Sequence, residues 1–85
     1  MADGISIVIP ARNEAETVGR VVAAVAGRRS VNEVIVVDNA SWDGTAEAAA
    51  EAGATVIEEA EPGLGRALKT GFAAAKGDWV MKIDA

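Results

Sequence analysis

The sequence predicts an α/β fold, a Rossmann-like three-layer sandwich of order βαβαβαβ built on one parallel sheet. Three observations carry that prediction. Short branched-apolar runs alternate with amphipathic stretches along the whole chain, and no linker or low-complexity segment separates them. The intervals between the runs suit helical crossovers of the length a parallel sheet needs. Two runs, Val34–Val37 and the one containing Val80, Met81 and Ile83, lead into aspartates, Asp38 and Asp84. An unbroken branched run suits a strand buried on both faces. A carboxylate where such a run stops sits at the carboxyl edge, where open α/β sheets bind ligands.

Ile5–Ile9 form the first expected strand, closed by Pro10. Asn13 and Glu16 have N-cap and N3 spacing. Val18, Val21, Val22 and Val25 then recur at i, i+3, i+4 and i+7 as one apolar helix face. Gly27 ends that helix beside Arg28 and Arg29, whose charges suit its negative end. Val34–Val37 are the second strand. Asp43 is the expected N-cap of a second helix, with an inner face of Ala46, Ala49 and Ala50 and an end at Gly53. Ala54–Ile57 make a short third strand. The third helix places Leu64, Leu68, Phe72 and Ala75 on one stripe and ends at Gly77. Gly71 inside it costs about 1 kcal/mol against alanine, so close helix–sheet packing is its expected reason. Trp79–Ile83 make the fourth strand, and Trp79 and Phe72 read as core. Right-handed crossovers limit the strand order, and 3-2-1-4 puts a switch point between strands 1 and 4.

Composition narrows the chemistry. Apolar residues are 51% of the 85, enough for a core, although alanine supplies many of them. A chain of this length buries only roughly 60–65% of its unfolded surface, so marginal stability is expected. The net charge is −5 and no basic cluster exceeds Arg28-Arg29, which argues against a nucleic-acid surface. Without cysteine there are no disulfides, thiolate metal sites or Cys nucleophile. Without histidine, imidazole base chemistry and Ser-His-Asp triads are impossible within these residues. The apolar runs fall well short of the about 18 residues of a membrane span, and no signal peptide is visible. A reducing, cytoplasmic setting is expected.

The usual phosphate motifs are missing. A dinucleotide-binding unit needs G-x-G-x-x-G after its first strand, but that turn reads Pro10-Ala11-Arg12-Asn13-Glu14. Walker A is absent, and Gly63-Leu64-Gly65-Arg66 follows the third strand and lacks the final glycine. No acidic cluster follows strand 1, which disfavours a flavodoxin-like receiver.

Four segments fall in order: VIPARNEAET from Val8, VVDNASWDGT from Val36, GLGRALKTGFAAAKGD from Gly63, and KIDA at the end. Together they resemble family 2 glycosyltransferases of the GT-A fold, over essentially the whole chain. Within that family they are nearest to the polyprenyl-phosphate hexosyltransferases and the glucosyl-3-phosphoglycerate synthases. The resemblance implies that residues 1–85 are the nucleotide-sugar-binding half of a GT-A domain. Its Asp-x-Asp begins at Asp84 and passes through Ala85, with the second aspartate expected as the next residue. It further implies an inverting, metal-dependent transfer of a hexose from a UDP- or GDP-sugar to a phosphate-bearing acceptor, with Mg²⁺ or Mn²⁺. Pro10, Arg12 and Glu14 would line the base and ribose, and Asp38 would take the base edge. Arg66 and Lys69 would lie near the base or phosphates. Asp84, with Ala85 beside it, would meet the ribose or the metal. The general base is expected outside these residues, so weak nucleotide binding and no sugar transfer are expected of them alone.

Each position also has a plainer reading. Asp38 suits a turn cap, and Glu14 a first-turn carboxylate facing a helix dipole. Asn13 and Asp43 read as caps, Arg66 and Lys69 as solvated charges, and Glu58-Glu59-Glu61 as a solvated loop. One aspartate is thin support for Mg²⁺ or Mn²⁺, which take several oxygens. Asn39 stands where many family members have a second aspartate, and Trp42 is unusual. A rival expectation is a self-associating module, a homodimer paired through the open edge of strand 4.

Overall fold

The computed structural model describes residues 4–85, with seven elements in the expected alternation. They are β1 (Ile5–Ala11), α1 (Val18–Ala26), β2 (Val31–Asn39), α2 (Thr45–Glu51), β3 (Thr55–Glu59), α3 (Leu64–Ala74) and β4 (Trp79–Lys82). The four strands form one sheet of order β3-β2-β1-β4, and every pairing is parallel. This is a Rossmann-like α/β layer, with helices on both faces.

The sheet divides the core in two. Ile7, Ile9, Val34 and Val36 pack with Val18 and Val22 of α1 and Ala49 of α2. On the opposite face Val8, Ile35 and Val37 pack with Ala67 of α3. Strand β2 is central and buries six consecutive residues, Val34 to Asn39. That is why its run is apolar at every position rather than at alternate ones.

Several local expectations need correction. β1 does not stop at Pro10 but continues to Ala11, with Pro10 level with Val37 and Ala11 level with Asp38. The Val8 carbonyl accepts from the Ile83 N–H (3.0 Å), so Val8 faces β4 and Pro10, two residues on, faces the same way. Its missing N–H therefore falls on the β4 side, and the β1–β4 ladder ends at Val8 and Lys82. β2 runs past Val37, so Asp38 and Asn39 belong to the strand, and β3 runs two residues past Ile57. Asn13 does not cap α1, which begins five residues later behind Thr17. On α2, Thr45 and Ala49 are buried, whereas Ala50 is exposed.

The α3 stripe is also turned. Leu64 and Phe72 are 57% and 46% exposed, and the residues against the sheet are Ala67 and Gly71. A Cβ at Gly71 would overlap the Val8 side chain and lie 3.1 Å from Val37 Cγ2. Close approach decides which face goes inward, and the large residues are displaced outward. Trp79 is not core either: it is 71% exposed on the edge strand.

Candidate functional site

Two loops leave the carboxyl edge side by side, residues 12–17 after β1 and 40–44 after β2. Four hydrogen bonds join them to each other and to the start of α2. Asn13 N–H donates to Ser41 Oγ (2.9 Å), and Trp42 N–H donates to Asn13 Oδ1 (2.9 Å). Glu14 N–H donates to Thr45 Oγ1 (2.9 Å), and Ala15 N–H to Asp43 Oδ2 (3.3 Å). Asn13 makes its pair of contacts with φ at 55°, a left-handed conformation that asparagine tolerates better than most residues. Ala40 is left-handed too, at 61°, which costs an alanine roughly 1–2 kcal/mol.

Asp43 anchors this junction. Its carboxylate accepts the Thr45 hydroxyl, the Thr45 N–H (3.0 Å) and the Ala15 N–H. These bonds, the Thr45 hydroxyl first, hold its carboxyl below the usual carboxylate range. The N-cap position proper is Gly44, so Asp43 does the capping from one residue further out.

Strand alternation separates the two polar residues that end β2. Val34 and Val36 face α1 and α2, so Asp38 does as well, and Asn39 faces α3. Asn39 is fully engaged. Its Nδ2 donates to the carbonyls of Glu59 (3.3 Å) and Glu61 (2.8 Å), and its Oδ1 accepts the Gly63 N–H (2.9 Å). It ties down the β3–α3 loop. Glu59 joins it by accepting the Thr70 hydroxyl (2.7 Å) and the Glu61 N–H (3.1 Å), which lower its carboxyl pKa with help from nearby Arg66. Glu59 is thus braced at the end of β3, while Glu58 and Glu61 are exposed, as a solvated run would be.

Asp38 is the opposite case. It is 8% exposed, and its buried Oδ1 has no hydrogen-bond partner among the described residues. It lines a cleft of about 530 Å³ with Ser41, Asp43, Glu47, Glu58 and Glu59. A buried acceptor left unpaired costs about 1–3 kcal/mol. Nothing in the packing requires a carboxylate there, and the surrounding carboxylates would disfavour it. The arrangement fits a ligand that brings N–H donors and no negative charge to this spot.

A smaller cleft of about 130 Å³ is lined by Pro10, Ala11, Arg12, Asn39 and Leu64. The Arg12 guanidinium lies over the Trp42 ring, 5.7 Å from its centroid. Glu14 is half-buried, and its carboxylate accepts the Thr17 hydroxyl (3.2 Å). Arg66 and Lys69 are exposed on α3 and line neither cleft.

Asp84 does not join Asp38 in one cleft. Met81 and Ile83 share the α1 side with Ile5, Ile7 and Val25, so alternation turns Asp84 to the α3 side. Its carboxylate pairs there with Lys82 Nζ at 3.0 Å and is largely exposed. The two aspartates occupy the same edge of the layer, on opposite faces and with β1 between them. Ala85 packs against the core on the α1 side. Among the described residues no group of three carboxylates converges to hold a metal ion. Asp84 offers one carboxylate, which is not a complete site for Mg²⁺ or Mn²⁺. Ser41, Trp42, Glu47, Glu58 and Leu64 also line or border the clefts, and of these only Trp42 carried a sequence signal, its rarity.

The family model for glycosyl transferase family 2 matches residues 6–85. The chain belongs to that family. It is 44% identical over 84 residues to an uncharacterized glycosyltransferase of Mycobacterium tuberculosis, covering 98% of this chain and 37% of that protein. It is 38% identical over 90 residues to glucosyl-3-phosphoglycerate synthase of Mycolicibacterium smegmatis, covering 94% of this chain and 30% of that enzyme. Glucosyl-3-phosphoglycerate synthase of M. tuberculosis, solved with Mn²⁺, UDP-glucose and phosphoglyceric acid, superposes with a TM-score of 0.88 at 36% identity. That match covers 96% of this chain and 33% of the enzyme. The same enzyme with Mg²⁺ and UDP gives 0.87. The chain therefore spans about a third of the length of these relatives, 30–37%. No helix among the described residues is long and apolar enough to cross a membrane.

Proposed function

We propose that these residues bind the nucleotide of a UDP-sugar donor in an inverting glycosyltransferase that moves a hexose to a phosphate-bearing acceptor. The observation that carries this reading is Asp38 itself, which lines the larger cleft while its buried Oδ1 has no hydrogen-bond partner among the described residues. An acceptor-only carboxylate selects a base edge that donates, such as the N3–H of uracil, and disfavours a base that presents a bare ring nitrogen. The UDP-glucose held by the M. tuberculosis synthase supports uracil. Guanine also donates from its N1–H edge, so a GDP-sugar remains the alternative donor.

The acidic cleft has consequences for the rest of the donor. Asp38, Asp43 and Glu58 repel phosphates, so the base lies among them and the diphosphate points away, toward Arg12 at the smaller cleft. Asp84, and Ala85 next to it, follow β4 and are proposed to approach the donor from that side. The Mg²⁺ or Mn²⁺ of the M. tuberculosis complexes supports a divalent ion in the whole enzyme. Such an ion would offset charge on the departing diphosphate. Asp84 is the one described residue proposed to approach it. Arg66 and Lys69 are proposed as outer cations that raise the local phosphate concentration. No described residue is assigned the proton transfer from the acceptor.

Isothermal titration of wild type and Asp38→Asn with UDP, GDP and CDP tests this. A charge-assisted hydrogen bond is worth about 1.5–3 kcal/mol, so Asp38→Asn should weaken UDP binding by about 10- to 100-fold. CDP should bind worst to wild type. Equal affinity of the two proteins for UDP would reject the base-recognition role.

A second reading rests on the edge strand. All four residues of β4 are exposed, including Trp79, Val80 and Met81. An unpaired apolar edge favours strand pairing with a second copy. Light scattering that gives a dimer for wild type and a monomer for Val80→Lys would support it, and a wild-type monomer would reject it.

A further inference from the structure

Trp42 is 79% exposed, an unusual amount for a tryptophan. Its backbone is nevertheless fixed, because its N–H donates to Asn13 Oδ1 while Asn13 N–H holds the adjacent Ser41. On its ring lies Arg12, which also lines the smaller cleft. Arg12 forms no ion pair among the described residues, where the sole pair is Lys82–Asp84. This is the more telling because carboxylates are abundant along this edge. A flexible guanidinium near Asp38, Asp43 and Glu58 would be drawn toward them. The indole instead holds it beside the loop junction, where it lines the smaller cleft.

We propose that Trp42 is a positioning residue that holds the Arg12 guanidinium at the mouth of that cleft, where it receives the phosphates of the nucleotide. The inference rests on the donor-binding reading above and adds a division of labour: Asp38 takes the base, and the Arg12–Trp42 pair takes the anionic part. The indole face attracts the cation through its quadrupole and leaves the N–H fork unused. A planar guanidinium held in this way presents its donors to phosphate oxygens in a fixed direction. Without the ring, Arg12 keeps its charge and loses its orientation.

The test is calorimetric titration of the full chain with UDP and with uridine, which share the base and differ in phosphate. Trp42→Ala should raise the UDP Kd by about 2- to 5-fold, the scale of an exposed cation–π contact, and leave the uridine Kd unchanged. Arg12→Ala should raise the UDP Kd by about 10-fold, and adding Trp42→Ala to it should change nothing more. Trp42→Phe should restore most of the UDP affinity, a rescue that a merely structural loop residue would not predict. Asp38→Asn should weaken both ligands together. The proposal is overturned if Trp42→Ala weakens uridine as much as UDP, or if it still weakens UDP when Arg12 is absent. An Asp38→Asn protein that binds both ligands normally, with the Trp42 and Arg12 effects intact, would remove the base reading and leave this pair standing. Failure of wild type to bind UDP would overturn both.

Discussion

Strands β2 and β4 carry the same sequence device, a branched apolar run that leads to an aspartate, and the fold uses them in opposite ways. β2 lies between two neighbours and buries six residues in succession, whereas β4 has a partner on one side only and all four of its residues are exposed. The aspartates inherit that contrast. Asp38 is buried with no partner for Oδ1 among the described residues, and Asp84 is open to solvent and paired with Lys82. Identical local patterns therefore have different chemical meaning according to sheet position. The centre of the sheet buries an acceptor that no described residue pairs, and the edge exposes a carboxylate that a lysine pairs.

The comparison can be broken first through the packing that keeps the centre closed. Gly71→Val would push a side chain into Val8, which is fully buried. Overpacking of that kind costs about 3 kcal/mol, or roughly 15 °C in Tm for a chain of this size, readable by thermal melting. A Tm within a degree or two of wild type would show that α3 does not approach the sheet this closely.

Asp38→Leu sharpens it in the other direction. Removing a buried unpaired acceptor should stabilise the fold by about 1–2 kcal/mol in urea denaturation while abolishing UDP binding. Asp84→Leu should leave stability within about 0.5 kcal/mol, as expected for an exposed ion pair. If both substitutions destabilised equally, the two aspartates would not differ as described.

A smaller effect separates the two ends of the sheet by pH. Glu33 accepts the Ser6 hydroxyl (2.6 Å) and the Lys76 N–H (2.6 Å), and these bonds, Ser6 first, lower its carboxyl pKa. Asp43 and Glu59 are lowered as well, at the opposite edge. A carboxylate whose folded pKa is depressed contributes stability above its unfolded pKa and loses it as pH falls through the folded value. Stability should therefore decline from about pH 5 downward, and Glu33→Gln should make that decline shallower in denaturation curves recorded between about pH 3 and pH 6. An unchanged slope would mean that the Ser6–Glu33–Lys76 contact is not formed in solution.

The strand order was legible because crossover handedness and alternating patterns leave few arrangements, and the expected 3-2-1-4 is the one observed. Gly71 was legible for a similar reason, since a glycine inside a helix stripe signals close approach. The inward face of α3 was not. Leu64 and Phe72 outrank Ala67 in hydrophobicity, but the short distance between helix and sheet admits only the smaller residue. Within the site, the sequence marked Asp38 by its place at a strand end, yet it did not reveal that Asn39 is consumed as a clamp while its neighbour is left unsatisfied. That distinction depends on which face each residue takes, and hence on a register set by residues far away in the chain. Trp42 was visible only as an oddity, because its partner Arg12 lies across a loop junction that no local pattern encodes.

The central claim is that the carboxyl edge of β1 and β2 receives the nucleoside of the donor and that the strand β4 itself, Trp79–Lys82, does not. Titration of the ¹⁵N-labelled chain with UDP, followed by amide chemical shifts, tests it most directly. The account predicts concentration-dependent shifts at residues 11–14, 38–45 and 58–64, with residues 28–33 and 76–81 unmoved. Shifts concentrated on β4 and Lys76–Trp79, with Asp38 to Thr45 silent, would contradict it.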